Sequence, residues 1–350
     1  MKIRIINALD SLSWRRNLIN LKNLDACYLP EYHLAYSTRL DQSQAILWVS
    51  EHEDKKFIYP FLKAPINLAG LKKNFYYDIS SVYGYSGPVS NATDKNFLEQ
   101  SWKEFDSWAK DQKIVCEFLR FSFINKSHLL AHPNSEISFN RMSAYSDLTD
   151  DQSEFLNKLG PKTRNMIKKA RKFNLVTKEV EFEKYLDNFI SMYEENMMKN
   201  NADDFFFYNQ DYYKNLLKLD YSNRRLFAVF MEEEPIAYAM ILEFGNNALY
   251  HLGTSKKQFN NLGVSNLYLF EISMLLKKEG KNIFILGGGR TENRDDNLLK
   301  FKEKNSNNLA EFFIGKRIID MTAYERIKLV WKQENLKNKN TQKLQFYRQK

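Results

Sequence analysis

The sequence is poor in the residues that staple, punctuate or metallate a fold. Its 350 residues include two cysteines (Cys27 and Cys116), 12 glycines, 7 prolines and 5 histidines. Two cysteines cannot build a disulfide framework, and their aromatic and aliphatic surroundings read as buried thiols in a reducing compartment. The histidines, at positions 33, 52, 128, 132 and 251, show no metal-ligand spacing, and neither cysteine has a Cys or His neighbour of the zinc type. Metal-independent chemistry is therefore expected. No Gly-x-Ser-x-Gly elbow occurs, which disfavours a serine hydrolase. The longest apolar stretch, Ile236–Phe244, is about half of what a membrane span requires. Met1–Ile6 carries charges inside its short apolar run and does not read as a secretory signal. A cytoplasmic chain with no transmembrane segment is the expectation.

What is present can fill two cores. Hydrophobic residues make up 43% and aromatics 15%, and the length suits two domains. The 52 Lys and Arg against 43 Asp and Glu leave a net charge of +9. That surplus suits nucleic acid, a phosphorylated substrate or peripheral contact with an acidic membrane surface. A generally Lys-rich surface is an equal reading, because the basic residues are spread along the chain.

Periodicity gives the order of elements. Lys2–Leu9 reads as a strand, and Ser11 is placed to cap a helix running to about Leu21. Gln44–Ser50 and Lys56–Leu62 form a hairpin about His52-Glu53-Asp54, followed by a helix over Asn91–Asp111 and a strand over Ile114–Phe121. The second half repeats that order. Thr149-Asp150-Asp151-Gln152 reads as a capping box for a helix ending near Leu159, and Gly160-Pro161 restarts the chain as another helix. A strand at Leu175–Glu179 precedes a helix over Glu181–Asn200. Three strands follow at Leu226–Met231, Ile236–Phe244 and Ala248–Thr254. A helix over Asn266–Lys278 and a strand over Asn282–Leu286 lead into Gly287-Gly288-Gly289. The matched order implies an α/β chain with mixed sheets and a duplicated architecture. The junction is expected in the polar stretch Ser143–Asp151. Domains then fall at 1–145 and 146–330, with a basic polar tail over 331–350 that is frayed from about Leu336.

Three stretches are placed to carry chemistry. In the helix Lys162–Phe173, Met166, Ile167, Ala170 and Phe173 share one arc, with Arg164, Lys168, Lys169, Arg171 and Lys172 opposite. The basic ridge either meets phosphate or is an ordinary solvated face. Arg164 and Lys168 are the candidates for an anionic substrate group. Next, the strand containing Tyr250, His251 and Gly253 leads through a loop to Gly263-Val264-Ser265-Asn266 at a helix start. Such a helix start is an anion site, because its first amides have no partners. Gly253, Gly263, Ser265 and Asn266 are thus candidate donor contacts. Third, Gly287-Gly288-Gly289-Arg290 ends a strand, and three glycines in a glycine-poor chain imply close backbone approach or positive φ.

Together these motifs resemble the Fem family of peptidoglycan-bridge aminoacyltransferases and its relatives among double-domain GNAT-like proteins. Tyr77-Asp78-Ile79 and Tyr83-Gly84-Tyr85-Ser86-Gly87-Pro88 are similar to a family loop reading Asp, then Tyr-Gly-Tyr-Gly-Gly-Pro, with Ser86 in place of glycine. Lys162–Ala170 resembles the family's Arg-x-x-Ile-basic-basic-Ala helix. The Tyr250-His251 strand, the helix from Asn266, Gly287-Gly288-Gly289, Phe301-Lys302 and Phe312-Phe313-Ile314-Gly315-Lys316 follow in family order. The resemblance implies two tandem GNAT-like (acyl-CoA N-acyltransferase) domains and transfer of an acyl or aminoacyl group to an amine of a cell-envelope precursor. The acceptor expected from it is an amino sugar of surface polysaccharide biosynthesis, with acyl-CoA as donor. The alternative is a peptidoglycan precursor, with aminoacyl-tRNA as donor. In GNAT domains the pyrophosphate of acyl-CoA sits on a Gln/Arg-x-x-Gly-x-Gly/Ala loop. Gln258–Ser265 departs from that spacing and leaves the donor open. By resemblance Lys302 is the candidate cation near an oxyanion or donor phosphate. His251 is a proton relay or a buried structural histidine. Tyr83, Tyr85, Tyr250 and Arg290 are substrate contacts or, for the tyrosines, core residues.

Overall fold

The computed structural model describes residues 1–149, 151–334 and 343–348. In chain order the elements begin with β1 (Lys2–Asn7), α1 (Ser11–Leu18), α2 (Pro30–Ser37), β2 (Gln44–His52), β3 (Lys55–Pro65), β4 (Tyr77–Ser80) and β5 (Val89–Ser90). They continue with α3 (Lys95–Asp111), β6 (Ile114–Arg120), β7 (Glu136–Asp147), α4 (Gln152–Lys158), α5 (Pro161–Lys172), β8 (Val176–Val180) and α6 (Phe182–Lys199). The remainder are α7 (Gln210–Leu216), β9 (Arg224–Met231), β10 (Glu234–Phe244), β11 (Asn247–Ser255), α8 (Val264–Lys278), β12 (Ile283–Gly288), α9 (Asn297–Lys304), β13 (Asn308–Ile318) and α10 (Met321–Glu334).

The chain forms two compact units. One holds residues 1–22, 27–140 and those described from 312 onward, and the other holds 23–26 and 141–311. The boundary expected at 145 falls at 140, inside β7. The boundary expected at 330 falls at 311, inside β13, so 312–330 joins the first unit and not the second. Periodicity marks a strand but does not say which sheet edge it joins, and that is the origin of the difference.

The strands of each unit follow one plan. In the first unit the order is β1-β2-β3-β4-β6-β13, and in the second β8-β9-β10-β11-β12-β7. Each contains a single parallel pair among its described neighbours, β4 with β6 and β11 with β12. The other pairings are antiparallel. A parallel pair needs a crossover, and α3 and α8 are the long helices between its strands in each unit. The strand completing each sheet comes out of order. β13, near the end of the chain, pairs with β6, and β7 pairs with β12.

In the first unit α3 is capped by the Asp94 carboxylate on the Phe97 amide (3.0 Å) and turns Phe97, Trp102 and Phe105 onto the sheet. Those rings meet Trp48, Phe57, Tyr59 and Phe61 mostly edge to face, the geometry their quadrupoles favour. β13 brings Arg317 into this core. It donates to Glu117 on the neighbouring strand (2.8 Å) and to Asp106 (2.7 Å), which also bonds His132 (3.0 Å). A second cluster joins Ile66, Val115 and Cys116 to Ala323, Tyr324, Ile327 and Trp331 of α10 and to Phe346.

The expected polar tail is thus corrected. Phe346 is buried, and Arg348 makes two bonds to the buried carboxylate of Asp78 (2.7 and 2.6 Å) while Tyr347 donates to it (2.8 Å). Aromatic residues flanked by a cation can be buried when a carboxylate awaits them, which a polar average conceals. Residues 336–342 of the expected frayed stretch lie outside the described residues. Asp78 belongs to the motif shared with the Fem-like loop, and its place here is that of an anchor.

Arg348→Met would leave Asp78 charged and buried beside only a tyrosine hydroxyl. Breaking one side of such a pair is expected to cost about 3 kcal/mol or more. Urea unfolding followed by tryptophan fluorescence should show that loss. An unchanged midpoint would mean that the pair contributes nothing.

Candidate functional site

The second unit buries one main apolar cluster. Phe155, Leu159, Ile167, Ala170, Phe227, Ile241, Val264, Leu267 and Phe284 are among its members. The Gly160-Pro161 restart appears as expected, with Pro161 opening α5. The helix before it is capped by Asp151, whose carboxylate accepts from Ser153, and not by Thr149. Along α5 the buried residues are Thr163, Ile167 and Ala170. Phe173 is exposed, against expectation, because the helix ends at Lys172 and Phe173 leaves the helical conformation.

The geometry that defines the site is a divergence. β11 and β12 pair in parallel over only three positions, Asn247 with Ile283 to Leu249 with Ile285. Beyond them the two C-terminal ends have no described ladder. The mouth between carboxyl ends of parallel strands is where open α/β sheets take ligands. In the first unit the corresponding place is closed. After β4 the chain loops out and rejoins the strand end of β6 through Ser86, whose amide donates to Arg120 (3.1 Å) and whose carbonyl accepts from Ser122 (2.7 Å). Gly84 and Gly87, at φ +113° and +109°, make that return possible.

On the β11 arm a bulge sets the side chains. Ile241 faces Tyr250 and Met240 faces Leu252, so His251 is the extra residue. The bulge reverses the alternation, and Tyr250 lies over Gly253. A Cβ on Gly253 would stand 1.7 Å from the Tyr250 hydroxyl. That hydroxyl is bonded to the hydroxyl of Tyr268 on α8 (2.7 Å), and burial holds the Tyr250 phenol well above its ordinary pKa. His251 is half-buried and its Nε2 bonds the hydroxyl of Tyr212 on α7. Burial pushes its pKa down to about 3, so the imidazole is neutral at neutral pH.

On the β12 arm each glycine of the triplet has its own cause. Gly287 has φ +87°, Gly288 lies against Arg141 and the Met142 carbonyl, and Gly289 lies against the Asp296 carboxylate. Asp296 organises the loop. One oxygen accepts from the amides of Arg290 (3.0 Å) and Thr291 (3.1 Å), and the other caps α9 through Leu298 (2.9 Å) and Leu299 (3.0 Å). Lys302 Nζ then donates to the Gly288 carbonyl (3.0 Å), and Arg141 donates to the Gly289 carbonyl (2.9 Å). Burial brings the Lys302 pKa down to about 8. Asp296 opposes the shift and Arg141 adds to it. The Arg290 side chain is exposed.

The remaining candidates fall into groups. Arg164 donates to the carbonyls of Leu156 (3.3 Å), Asn157 (3.3 Å) and Leu159 (3.1 Å), which closes the C-terminal end of α4. Lys168, its expected companion, is exposed. At the α8 start Gly263 and Val264 are packed, whereas Ser265 and Asn266 are half-buried. Gly263, at φ +82°, would bring a Cβ within 2.5 Å of the Met166 carbonyl on α5, and Val264 is buried. Ser265 is bonded to Tyr268, and Asn266 donates to Asn305 (2.8 Å). In the first unit Tyr83 is exposed, whereas Tyr85 is buried between Phe123 and Phe312 and belongs to the core.

Sequence reasoning missed Arg141, Asp296, Tyr212 and Tyr268. Asp296 was legible as a cap ahead of Asn297–Lys304. Arg141 carried no signal, since its role depends on which strand β12 pairs with.

Residues 161–296 match the acetyltransferase (GNAT) domain family. No curated protein matches the chain. Among solved structures, that of FemX has a TM-score of 0.73 at 14% identity, covering 93% of this chain and 100% of that one. The C-terminal domain of a candidate lysylphosphatidylglycerol synthetase from Agrobacterium fabrum has a TM-score of 0.58 at 14% identity, covering 93% and 98%. A tandem GNAT protein of the clavulanic acid pathway has a TM-score of 0.50 at 9% identity, covering 91% and 99%. The fold is therefore that of tandem GNAT-type domains, and the second unit carries an acyltransferase domain.

The Tyr250–Gly253 contact is testable. Gly253→Ala should displace the Tyr250 ring and cost about 2 kcal/mol, as overpacking does. In a Tyr250→Ala background the same change should cost much less. Equal costs in the two backgrounds, from chemical denaturation, would show that the ring is not what occupies the space.

Proposed function

We propose that the chain transfers an aminoacyl group from aminoacyl-tRNA to an amine of a cell-envelope precursor, at the mouth where β11 and β12 part. The observation that carries this choice of donor is the loop ahead of α8, where Gly263 lies against the backbone of α5. Gly263 is accounted for by its packing against the Met166 carbonyl of α5, and the Gln258–Ser265 loop departs from the spacing with which GNAT domains hold a pyrophosphate. A charge of +9 suits a polyanionic donor. The likeness to FemX, and the Fem-like motifs, support the same reading.

Aminoacyl transfer joins an amine nitrogen to the ester carbonyl and releases the sugar hydroxyl. It needs an unprotonated amine, a positioned carbonyl and a cation or donor group for the developing oxyanion. Lys302 is the residue we assign to that cation or to a donor phosphate. Its head group sits on a strand-end carbonyl, held by a loop that Asp296 fixes. His251 is neutral and bonded to Tyr212, so its role here is to position that hydroxyl. Lys168 and Arg290 present open cations to an anionic acceptor.

A second reading keeps acyl-CoA as donor and an amino sugar as acceptor. It is favoured by the unpaired strand edges beyond Leu249 and Ile285, which an extended amide-bearing arm can join. Calorimetry separates the two. Heat with acyl-CoA thioesters would favour the second, and salt-sensitive binding of aminoacyl-tRNA with none from thioesters the first.

Lys302→Met should keep the fold, losing about 1 kcal/mol with its hydrogen bond. Turnover should fall about a hundredfold, near 2.7 kcal/mol of barrier. Wild-type turnover by this variant would remove Lys302 from the chemistry.

The pH profile carries a sign. Because the folded-state pKa lies below the ordinary value of 10.5, the ammonium is lost as pH rises through about 8. Turnover that needs the cation should therefore decline above about pH 8, and Lys302→Arg should move the decline upward. Over the same window the fold gains stability, since the unfolded chain keeps its proton longer. A rate that rises through pH 8 with Lys302 present and not with Arg would make the neutral amine the active form.

A further inference from the structure

Helix α5 in the second unit carries more positive charge than folding uses. Six of its twelve residues are Lys or Arg, and none is acidic. Between Glu154 and Glu179 the chain has eight Lys and Arg and no Asp or Glu. Part of that charge is accounted for. Arg164 closes α4, Arg171 bonds Glu271 (3.4 Å), and Lys169 gives one of its protons to the Asn261 carbonyl (2.8 Å). Cations in the last turn also suit the helix dipole, whereas Lys162 in the first turn opposes it. Lys168 and Lys172, four residues apart, repel each other. Among the described residues, no ion pair engages Lys162, Lys168 or Lys172.

The unused cations form a strip. Lys162, Asn165, Lys169 and Lys172 follow a 3-4-3 spacing wholly inside the helix, and all four are exposed on the face opposite the buried Thr163, Ile167 and Ala170. At the helical rise the strip is about 15 Å long. The Lys169 bond sets the 3-10 helix Lys257–Leu262 beside it, and that segment adds the exposed Lys257 and no acid. The bordering carboxylates are engaged elsewhere. Glu154 bonds Lys158 (3.2 Å), Glu179 bonds Arg225 (2.6 Å), and Glu271 meets Arg171 on the flank away from the strip. At the start of α5, where Thr163 donates to the Lys304 carbonyl (2.9 Å), Lys304 is next to Glu303 and both are exposed. A row of cations with amide neighbours fits a chain of phosphates. An amphipathic membrane contact needs apolar tips among its cations. The large apolar residues between Lys162 and Lys172 are Met166 and Ile167, and neither is exposed. Phe173, exposed at the end of the strip, offers a ring on which an unpaired base can stack.

We infer that the outer strip of α5, formed by Lys162, Asn165, Lys169 and Lys172, holds the sugar-phosphate backbone of the donor RNA by charge and without reading its sequence. The inference rests on the reading of aminoacyl-tRNA as donor and adds where the body of that RNA lies. Lys168, assigned above to the acceptor, stands beside the strip and is kept intact in the test.

The test is binding of fluorescently labelled, unacylated total tRNA to the full chain, followed by anisotropy across a series of salt concentrations. Lys162→Gln, Lys169→Gln and Lys172→Gln together should weaken binding about tenfold or more at low salt. They should also lower the slope of log affinity against log salt by about two to three, because each lost phosphate contact frees fewer counterions. A control that removes the same charge from exposed positions of the same unit, Lys184→Gln, Lys218→Gln and Lys278→Gln, should leave the affinity within about twofold and the slope unchanged. Gln is a good helix former and the strip is exposed, so the α5 variant should keep its melting temperature. Three results would overturn the inference. Equal loss in the two triple variants would make net charge, and not this strip, the cause. Unchanged tRNA binding by the α5 variant would place the RNA elsewhere on the chain and leave the donor reading standing. If phosphatidylglycerol vesicles then sediment the wild type and not that variant, the strip is a lipid contact. No tRNA binding by the wild type would remove the donor reading together with the inference.

Discussion

Each sheet is governed by the constraint that two of its strands run parallel inside an otherwise antiparallel set. A parallel neighbour cannot be reached by a tight turn, so a helix must cross over, and both strands deliver their carboxyl ends to the same side. In the first unit the pair β4 and β6 is re-sealed beyond its end by Ser86. In the second unit β11 and β12 stop pairing after Leu249 and Ile285, and the strand ends stay apart. The same plan thus gives one closed sheet end and one open mouth, and only the open one carries the glycine loop, Lys302 and Arg141. The matched family region, residues 161–296, lies in that unit.

The mouth is built from backbone as much as from side chains. Lys302 and Arg141 donate to consecutive carbonyls, and Asp296 ties the loop to the first turn of α9. Gly288 and Gly289 make room for these partners. Lys302 keeps a depressed pKa because it is half-buried and shares the loop with Arg141. On the other arm a single extra residue, His251, sends Tyr250 across Gly253 to Tyr268. Each arm is thereby tied by hydrogen bonds, which suits the positioning of a carbonyl that the proposed transfer needs.

In the first unit, the return of the chain is secured by charge. Arg317 on β13 and Arg348 beyond α10 each find a buried carboxylate, Glu117 and Asp78. A buried pair contributes modestly beside an apolar alternative, but each partner alone is costly, so such pairs specify which segment closes the sheet. Asp78 sits in the loop that resembles the Fem family. Its motif is thereby accounted for by anchoring a distant segment.

The sequence by itself determined the local elements and the class of fold. The hairpins, α3, the Pro161 restart and the helices α6 and α8 follow from periodicity and turn chemistry, which depend on neighbours a few residues away. Gly287-Gly288-Gly289 and Phe301-Lys302 were likewise visible as a place of close approach and a candidate cation. Only the tertiary structure decided that β7 pairs with β12 and β13 with β6, that Arg164 caps α4, and that Gly263 lies against Met166. The same holds for Arg141 and the buried Phe346-Tyr347-Arg348 segment. These features depend on pairings between residues far apart in the chain, and neither periodicity nor local propensity carries information about which distant partner a strand, a cation or a helix end will meet.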